Sequence, residues 1–320
     1  VKFLIAGLGS IGRRHLRNLI ALGEEDIVLY RTGKSTLPDE ELEPFTTEYS
    51  LDDALAHKPD AVIVSNPTAL HLDVAIPAAR AGCHLLIEKP ISNSLAGFDD
   101  LDQALKEGEG EVLVGFQFRY HPTLQIVKRY IHEKRLGQVS CVRAHWGESL
   151  PDWHPWENYR RSYAAREDLG GGVLLTLCHP LDYLMWIFGD FDAGQGISKR
   201  NLGLEVEALV EAIIQFQSGI LASVHLDYLQ KAPEHTITII GEFGKLRWNG
   251  LTGDLHMVSV EDEYMEHRYP PEGFKRNDLF LAEMRHFLKV IDGLEAPVCT
   301  LEQAIKVQRL IEMIRETFPR

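Results

Sequence analysis

The sequence predicts an α/β domain with a doubly wound parallel sheet, followed by an α+β domain with an antiparallel sheet. Three observations carry this. Over residues 1–120 short β-rich runs alternate with longer amphipathic stretches, the βαβ pattern of a parallel sheet covered by helices. GLGSIG, residues 7–12, follows the first of these runs and opens the first helical stretch. Beyond Tyr120 the runs alternate apolar and polar residues, as half-buried antiparallel strands do.

In order, the first domain, residues 1–120, contains the strand candidates KFLIAG, DIVLY, AVIVSN, HLLIEK and EVLVGF. Helical patterns begin near Ser10, Leu51, His71 and Ser94, the last with Ser92 and Asn93 as caps. The second domain, residues 121–320, opens with a helix at His121 and Pro122. Its strands are expected at VSCVRAHW, VEALVEAIIQF, ILASVHLDYL, HTITIIG, KLRWNG and LHMVSVED, and two helices, 278–291 and 301–317, close the chain. There are no internal repeats or low-complexity segments.

Composition narrows the function classes. With 45% hydrophobic and 25% charged residues, the 320-residue chain reads as a soluble globular protein. A net charge of −14 disfavours nucleic acid and anionic membranes as partners, and no basic patch offsets it. The longest apolar runs fall far short of the roughly 20 residues that span a bilayer. The first residues already belong to a strand, VKFLIAG, with no leader pattern, so a cytoplasmic location is expected. Cys83, Cys141, Cys178 and Cys299 lie scattered in apolar runs without CxxC pairing, the pattern of reduced core thiols and of no metal site.

GxGxxG spacing alone is weak in a chain with 26 glycines; its place between strand and helix gives it meaning. Gly7 leaves the strand for a tight turn, Gly9 lets the backbone approach a pyrophosphate, and Gly12 lets the helix pack on the sheet. That helix, starting at Ser10 and Ile11, points its amino end at the phosphates. The bland alternative is a simple strand-to-helix turn. Cofactor choice should be legible where the second strand ends, in Tyr30, Arg31, Thr32, Gly33, Lys34 and Ser35. No carboxylate stands there for a ribose 2′-hydroxyl, while Arg31, Thr32, Lys34 and Ser35 suit a 2′-phosphate. NADP is therefore preferred over NAD, the alternative being that Arg31 and Lys34 are solvated loop charges.

GLGSIG, SNPTALH (65–71), IEKP (87–90), GFQFRYHP (115–122) and GGGVLLTLCHPLD (170–182) occur in this order, and together they resemble the Gfo/Idh/MocA oxidoreductase family over nearly the whole chain. The resemblance implies an N-terminal Rossmann domain, a C-terminal domain on an open, mainly antiparallel sheet, and hydride transfer at a sugar or cyclitol carbon. It also implies assembly as a homodimer or homotetramer through that sheet. By the resemblance, Asn66, Pro67, Thr68 and His71 border the cofactor, Glu88, Lys89 and Pro90 form the family's EKP with an often cis Lys–Pro bond, and Gln117 and Arg119 continue toward the nicotinamide ribose and the substrate. Lys89 has an independent case, since it follows HLLIE at the carboxyl end of a parallel strand, where open α/β sheets bind ligands. Burial and nearby positive charge would lower its pKa toward proton-relay chemistry. The alternative is a structural pair with Glu88.

His179 sits in an apolar helix, where a histidine is ordinarily a hydrogen-bonded core residue. The resemblance implies instead that it meets the substrate hydroxyl opposite the lysine. The family's aspartate one turn earlier is replaced: Leu175 and Thr176 stand there, and neither ionises. Thr176 could share a helix face with His179, and Asp182 could partly substitute for the carboxylate. Pro180 predicts a kink or a restart of the helix, because it removes an amide donor and clashes with the Thr176 carbonyl. A thiol nucleophile at Cys178 is disfavoured, since neighbours on a helix diverge by about 100°. In HWGESLPDWHPWENYRRSY (145–163), Tyr159, Arg160 and Tyr163 are candidate substrate contacts, with Trp153 and Trp156 as sugar-stacking faces or as anchors of the loop. The expected activity is an NAD(P)-dependent dehydrogenase or reductase on a sugar, cyclitol or nucleotide sugar. A glycosidase using transient oxidation and a non-catalytic nucleotide-binding regulator are the rivals.

Overall fold

The computed structural model describes residues 1–33, 37–260 and 264–318. The chain forms two compact units, Val1–Gln117 with Asp168–Gly170 and Arg276–Gln308, and Phe118–Glu167 with Gly171–Lys275 and Arg309–Arg320. A single cut at residue 120 therefore differs from the observed division, because a helix from the far end of the chain returns to the first unit. That helix carries Phe280 against the Arg14 guanidinium at 4.5 Å, and Asn277, whose side chain donates to Asn18 at 2.9 Å.

In the first unit the strands are β1 (Phe3–Ala6), β2 (Ile27–Tyr30), β3 (Thr46–Glu48), β4 (Ala61–Val64), β5 (His84–Glu88) and β6 (Val112–Gly115). They form one sheet of order β3-β2-β1-β4-β5-β6, with every pairing parallel. β1 and β4 are apolar throughout and fully buried, as strands covered on both faces must be. The five expected strands are present; β3, only TTE, is too short and polar to stand out. The helices are α1 (Ser10–Ala21), α2 (Leu51–Ala56), α3 (His71–Arg80) and α4 (Phe98–Gly108). α4 starts at Phe98 rather than Ser94, so Ser92 and Asn93 are not its caps; Gly97 has φ 84°, a left-handed conformation through which a helix does not extend.

The second unit holds an eight-stranded sheet of β7 (Val139–Ser149), β8 (Phe191–Arg200), β9 (Glu207–Phe216), β10 (Leu221–Asp227), β11 (Leu229–Gly241), β12 (Gly244–Asn249), β13 (Leu255–Ser259) and β14 (Tyr264–Arg268). Its order is β14-β13-β12-β11-β7-β10-β9-β8, antiparallel except for the parallel pair β7–β10. β8 and β14, the two edges, escaped the sequence reading, since edge strands lack a strong apolar alternation. Further helices are α5 (Pro122–His132), α6 (Leu150–Trp153), α7 (Val173–Thr176), α8 (His179–Phe188), α9 (Arg276–Ile291) and α10 (Leu301–Glu316). One face of the sheet, including Ala144, Trp146, Val224, Ile237 and Trp248, is buried, and α7 and α8 pack against the sheet; the other face keeps Ile197, Ile213, Leu221 and Met265 exposed. α7 stops at Thr176 and α8 restarts at His179 with Pro180 in its first turn, where a missing amide costs nothing. The restart expected from Pro180 is thus present. The four cysteines are unbridged, and among the described residues no single helix is long and apolar enough to cross a membrane.

Candidate active site

The turn after β1 shows why its glycines are needed. Gly7 has φ 94°, and a Cβ on it would lie 2.5 Å from the Asn66 amide nitrogen. A Cβ on Gly12 would lie 1.9 Å from the Gly7 carbonyl oxygen. Both glycines are therefore fixed by the packing of the turn on itself and on the loop after β4. Gly9 is different, because a Cβ there would meet nothing within 4 Å. Its open side lies beside the start of α1, where the amides of Ser10, Ile11 and Gly12 precede Arg13, the first amide to find an acceptor in the helix, and so form an anion cradle.

The loops after β4 and β6 supply matching acceptors. Asn66 Oδ1 and Gln117 Oε1 are buried without a hydrogen-bond partner among the described residues, and each requires a donor that ribose or amide groups can supply. The Asn66 side-chain nitrogen donates to the Leu70 carbonyl at 2.8 Å, which fixes that orientation. Pro67 and Thr68 start a single helical turn ending at Leu70. His71 is fully buried, with ring nitrogens 3.0 Å from the Pro90 carbonyl and 2.9 Å from the Asn66 carbonyl. Burial lowers its pKa, against the two carbonyls, which favour the protonated ring, and the imidazole sits between the post-β4 and post-β5 loops. The donors, acceptors and glycine cradle fit a dinucleotide.

At the end of β2, Arg31 is buried and its guanidinium lies 2.7 Å from Asp39. The expectation that no carboxylate is available there is corrected: the chain folds back, and Arg13 holds it by bonds to Glu41 at 2.9 Å and Asp39 at 3.4 Å. The hydrogen bond from Arg31, above all, keeps the Asp39 carboxyl below its ordinary pKa. Thr32 is exposed; Lys34 and Ser35 lie outside the described residues.

Glu88 ends β5 and Lys89 follows it, half-buried, with the Lys89–Pro90 peptide cis. The Glu88 carboxylate is 2.8 Å from His15 Nε2 and accepts the Lys89 amide at 3.2 Å. Burial would raise its pKa, but the bond to His15 and the charges of His15 and Lys89 hold it below the ordinary value. Glu283 of α9 packs nearby, its pKa pushed well up by burial and then by Glu88. His15 and Glu283 were missed by sequence reasoning. His15 had a faint signal, three residues past Gly12 on α1, whereas Glu283 arrives from a helix nearly two hundred residues beyond β5.

In the second unit His179 is 2% exposed, with Trp146 stacked on it at 5.5 Å and Phe118 edge-on at 4.9 Å. Thr176 Oγ1 donates to the Gly172 carbonyl at 2.8 Å and hydrogen-bonds with the Tyr228 hydroxyl. Asp182 accepts from Arg119 at 2.6 and 3.1 Å, so these two residues, 63 positions apart, form a buried two-pronged pair. Arg119 was expected at the substrate and Asp182 as a partial substitute carboxylate; their pairing gives both a structural partner. Tyr159 and Arg160 both donate to the Leu202 carbonyl at 3.2 Å. Tyr163 is 38% exposed and Trp156 59%, while the Trp153 ring meets Tyr228 edge-on. Tyr228, also missed, is the last residue but one of the strand run ILASVHLDYL, and only the fold brings it to Thr176.

Residues 1–116 match the family model described as "Oxidoreductase family, NAD-binding Rossmann fold", and residues 124–247 match the "GFO/IDH/MocA C-terminal domain". An uncharacterized oxidoreductase, YrbE of Bacillus subtilis, is 30% identical over 335 aligned residues, covering 98% of this chain and 93% of that protein. The myo-inositol 2-dehydrogenase of Thermotoga maritima is 24% identical, covering 93% and 90%. Another curated relative, an uncharacterized oxidoreductase of a Synechocystis strain, is matched over only 38% of its length. A levoglucosan dehydrogenase structure in complex with NADH and levoglucosan has the same fold, with TM-score 0.86, 19% identity, and coverage of 99% and 96%. The chain therefore belongs to the Gfo/Idh/MocA family, NAD(P)-binding oxidoreductases whose members act on sugars and cyclitols.

Proposed function

We propose that this enzyme is a dehydrogenase or reductase of a hydroxyl or ketone carbon in a sugar, cyclitol or nucleotide sugar, with NADP preferred over NAD. The observation that carries the reading is Gly9: the protein leaves its Cβ position open beside a helix start, so the demand for glycine comes from a bound phosphate rather than from packing. The nicotinamide, when bound, supplies hydride chemistry. Lys89, half-buried at the carboxyl end of β5, relays the hydroxyl proton, and His179 orients the oxygen that loses it. Tyr163 and the Trp156 face are the exposed aromatic surfaces of the loop that would stack on a sugar ring. For the cofactor, a 2′-phosphate would compete with Asp39 for Arg31, whose Nε is buried without a partner among the described residues.

The outer sheet face, with Ile197, Ile213, Leu221 and Met265 exposed, serves self-association into a dimer or tetramer. Fluorescence titration with NADH and NADPH, followed by turnover on free and nucleotide-linked sugars, tests the reading. Tighter NADPH binding and turnover of one sugar class are expected. Cofactor binding with no hydride exchange across the panel would overturn it in favour of a regulator.

A further inference from the structure

The outer face of the eight-stranded sheet carries a polar cluster that the oxidoreductase reading does not use. His145 of β7 and His225 of β10 are register partners on a parallel ladder, and their rings stack at 4.3 Å. Asp227, two residues beyond His225, comes to the same face, and its Oδ2 lies 2.7 Å from His225 Nε2. The ligand atoms of His145, His225 and Asp227 all lie within 4.8 Å of one another. On the far side of the ring, His225 Nδ1 is 2.5 Å from Glu211, its register partner on β9.

Two features show that the cluster is a prepared space rather than a crowded surface. The position facing Asp227 on β7 is Gly147, where a Cβ would lie 2.4 Å from Asp227 Oδ2 and 2.2 Å from the Gln230 amide nitrogen. Only glycine leaves room for those side chains to converge. The charges are also unbalanced: Glu211, Asp227 and Glu234, the last 3.9 Å from His145, surround two imidazoles, and Arg247, 3.7 Å from Glu234, offsets only one of the three carboxylates. Even with one ring protonated, the group keeps a net negative charge.

We propose that His145 Nε2, His225 Nε2 and Asp227 Oδ2 bind a divalent transition-metal ion, with zinc as the best fit to two imidazoles and one carboxylate. Glu211 then acts from outside the ligand set, accepting the His225 Nδ1 proton and fixing which nitrogen faces the metal, the carboxylate–histidine–metal arrangement. Gln230, whose amide reaches His145 at 2.7 Å, supplies its oxygen as a fourth ligand once the amide turns over; otherwise water fills that place. The ion would link β7 and β10, the one parallel pair in the sheet, and draw in the excess negative charge.

Calorimetric titration of the chelator-stripped full chain with Zn²⁺ tests this, with Co²⁺ as a spectroscopic probe. One Zn²⁺ per chain is expected. His145→Gln and His225→Gln should each weaken binding by about 100-fold or more, and Glu211→Gln by about 10–100-fold, as loss of such outer partners does. Far-UV circular dichroism and NADH affinity check that the variants fold. Absence of zinc uptake, or uptake unchanged in both histidine variants, would overturn the proposal and leave the cluster a network of ion pairs. If the histidine variants fail to fold, saturating zinc should protect His145 and His225 of the wild-type chain from carbethoxylation mapped by mass spectrometry. Unprotected rings would overturn it equally.

Discussion

The turn at residues 7–12 and the buried polar centre around Arg119 and Asp182 are built by opposite means. In the turn, Gly7 and Gly12 bring backbone against backbone, Gly7 against the loop after β4 and Gly12 against the Gly7 carbonyl, while Gly9 stays open. The Arg119–Asp182 centre is made of side chains that meet across 63 residues of chain. A site of the first kind tolerates no Cβ where backbone meets backbone, at Gly7 and Gly12. One of the second kind tolerates no loss of a partner. The two should therefore fail differently, one by steric clash and one by an orphaned charge.

The largest effect is expected where neither kind of failure applies and only chemistry is removed. Lys89→Met keeps most of the unbranched side chain but removes the amine, so turnover should fall by about 10²–10⁴-fold while NAD(P)H affinity changes little. Steady-state kinetics alongside fluorescence titration checks this, and unchanged turnover would remove Lys89 from the mechanism. Next comes the buried pair. Arg119→Ala should lower unfolding free energy by about 3–5 kcal/mol, read by denaturant titration, because the buried Asp182 carboxyl loses its two-pronged partner. Replacing both partners together by Met and Leu should recover most of that loss; if it does not, Arg119 acts beyond pairing.

The glycine turn gives a sharper contrast within one motif. Gly12→Ala places a Cβ on the Gly7 carbonyl and should cost about 1–3 kcal/mol of stability. Gly9→Ala should leave the melting temperature unchanged and weaken cofactor binding about tenfold, near 1.4 kcal/mol, because its Cβ meets only the ligand. Equal loss of stability in both would refute the phosphate reading of Gly9. The smallest effect concerns the cofactor's ribose. Arg31→Ala should reduce NADPH affinity by several-fold to about tenfold with little change for NADH, and Asp39→Asn should shift preference toward NADPH. A shared loss for both cofactors after Arg31→Ala would place that residue in loop packing instead.

The legibility of the molecule follows the same division. The five main strands of the first sheet, the glycine turn and the strand-end position of Lys89 are readable because period, turn chemistry and strand order are local properties. β3 and the edge strands β8 and β14 are not, for their short or weakly patterned sequences take their conformation from a neighbour's hydrogen bonds. Asp39 shows the cost of reading a site only from adjacent residues: the carboxylate beside Arg31 stands eight positions on and is brought back by Arg13.

By itself, the sequence determined the succession of elements, the cradle for a dinucleotide and the restart of the helix at Pro180, since each depends on backbone freedom within a few residues. Only the tertiary structure decided that Arg119 meets Asp182, that Thr176 bonds with Tyr228, that Glu88 takes His15 as its partner, and that His145, His225 and Asp227 gather on one face. The physical reason is that a buried polar group must be satisfied by whatever the fold brings within hydrogen-bonding distance. Which group that is depends on sheet order and register rather than on spacing along the chain.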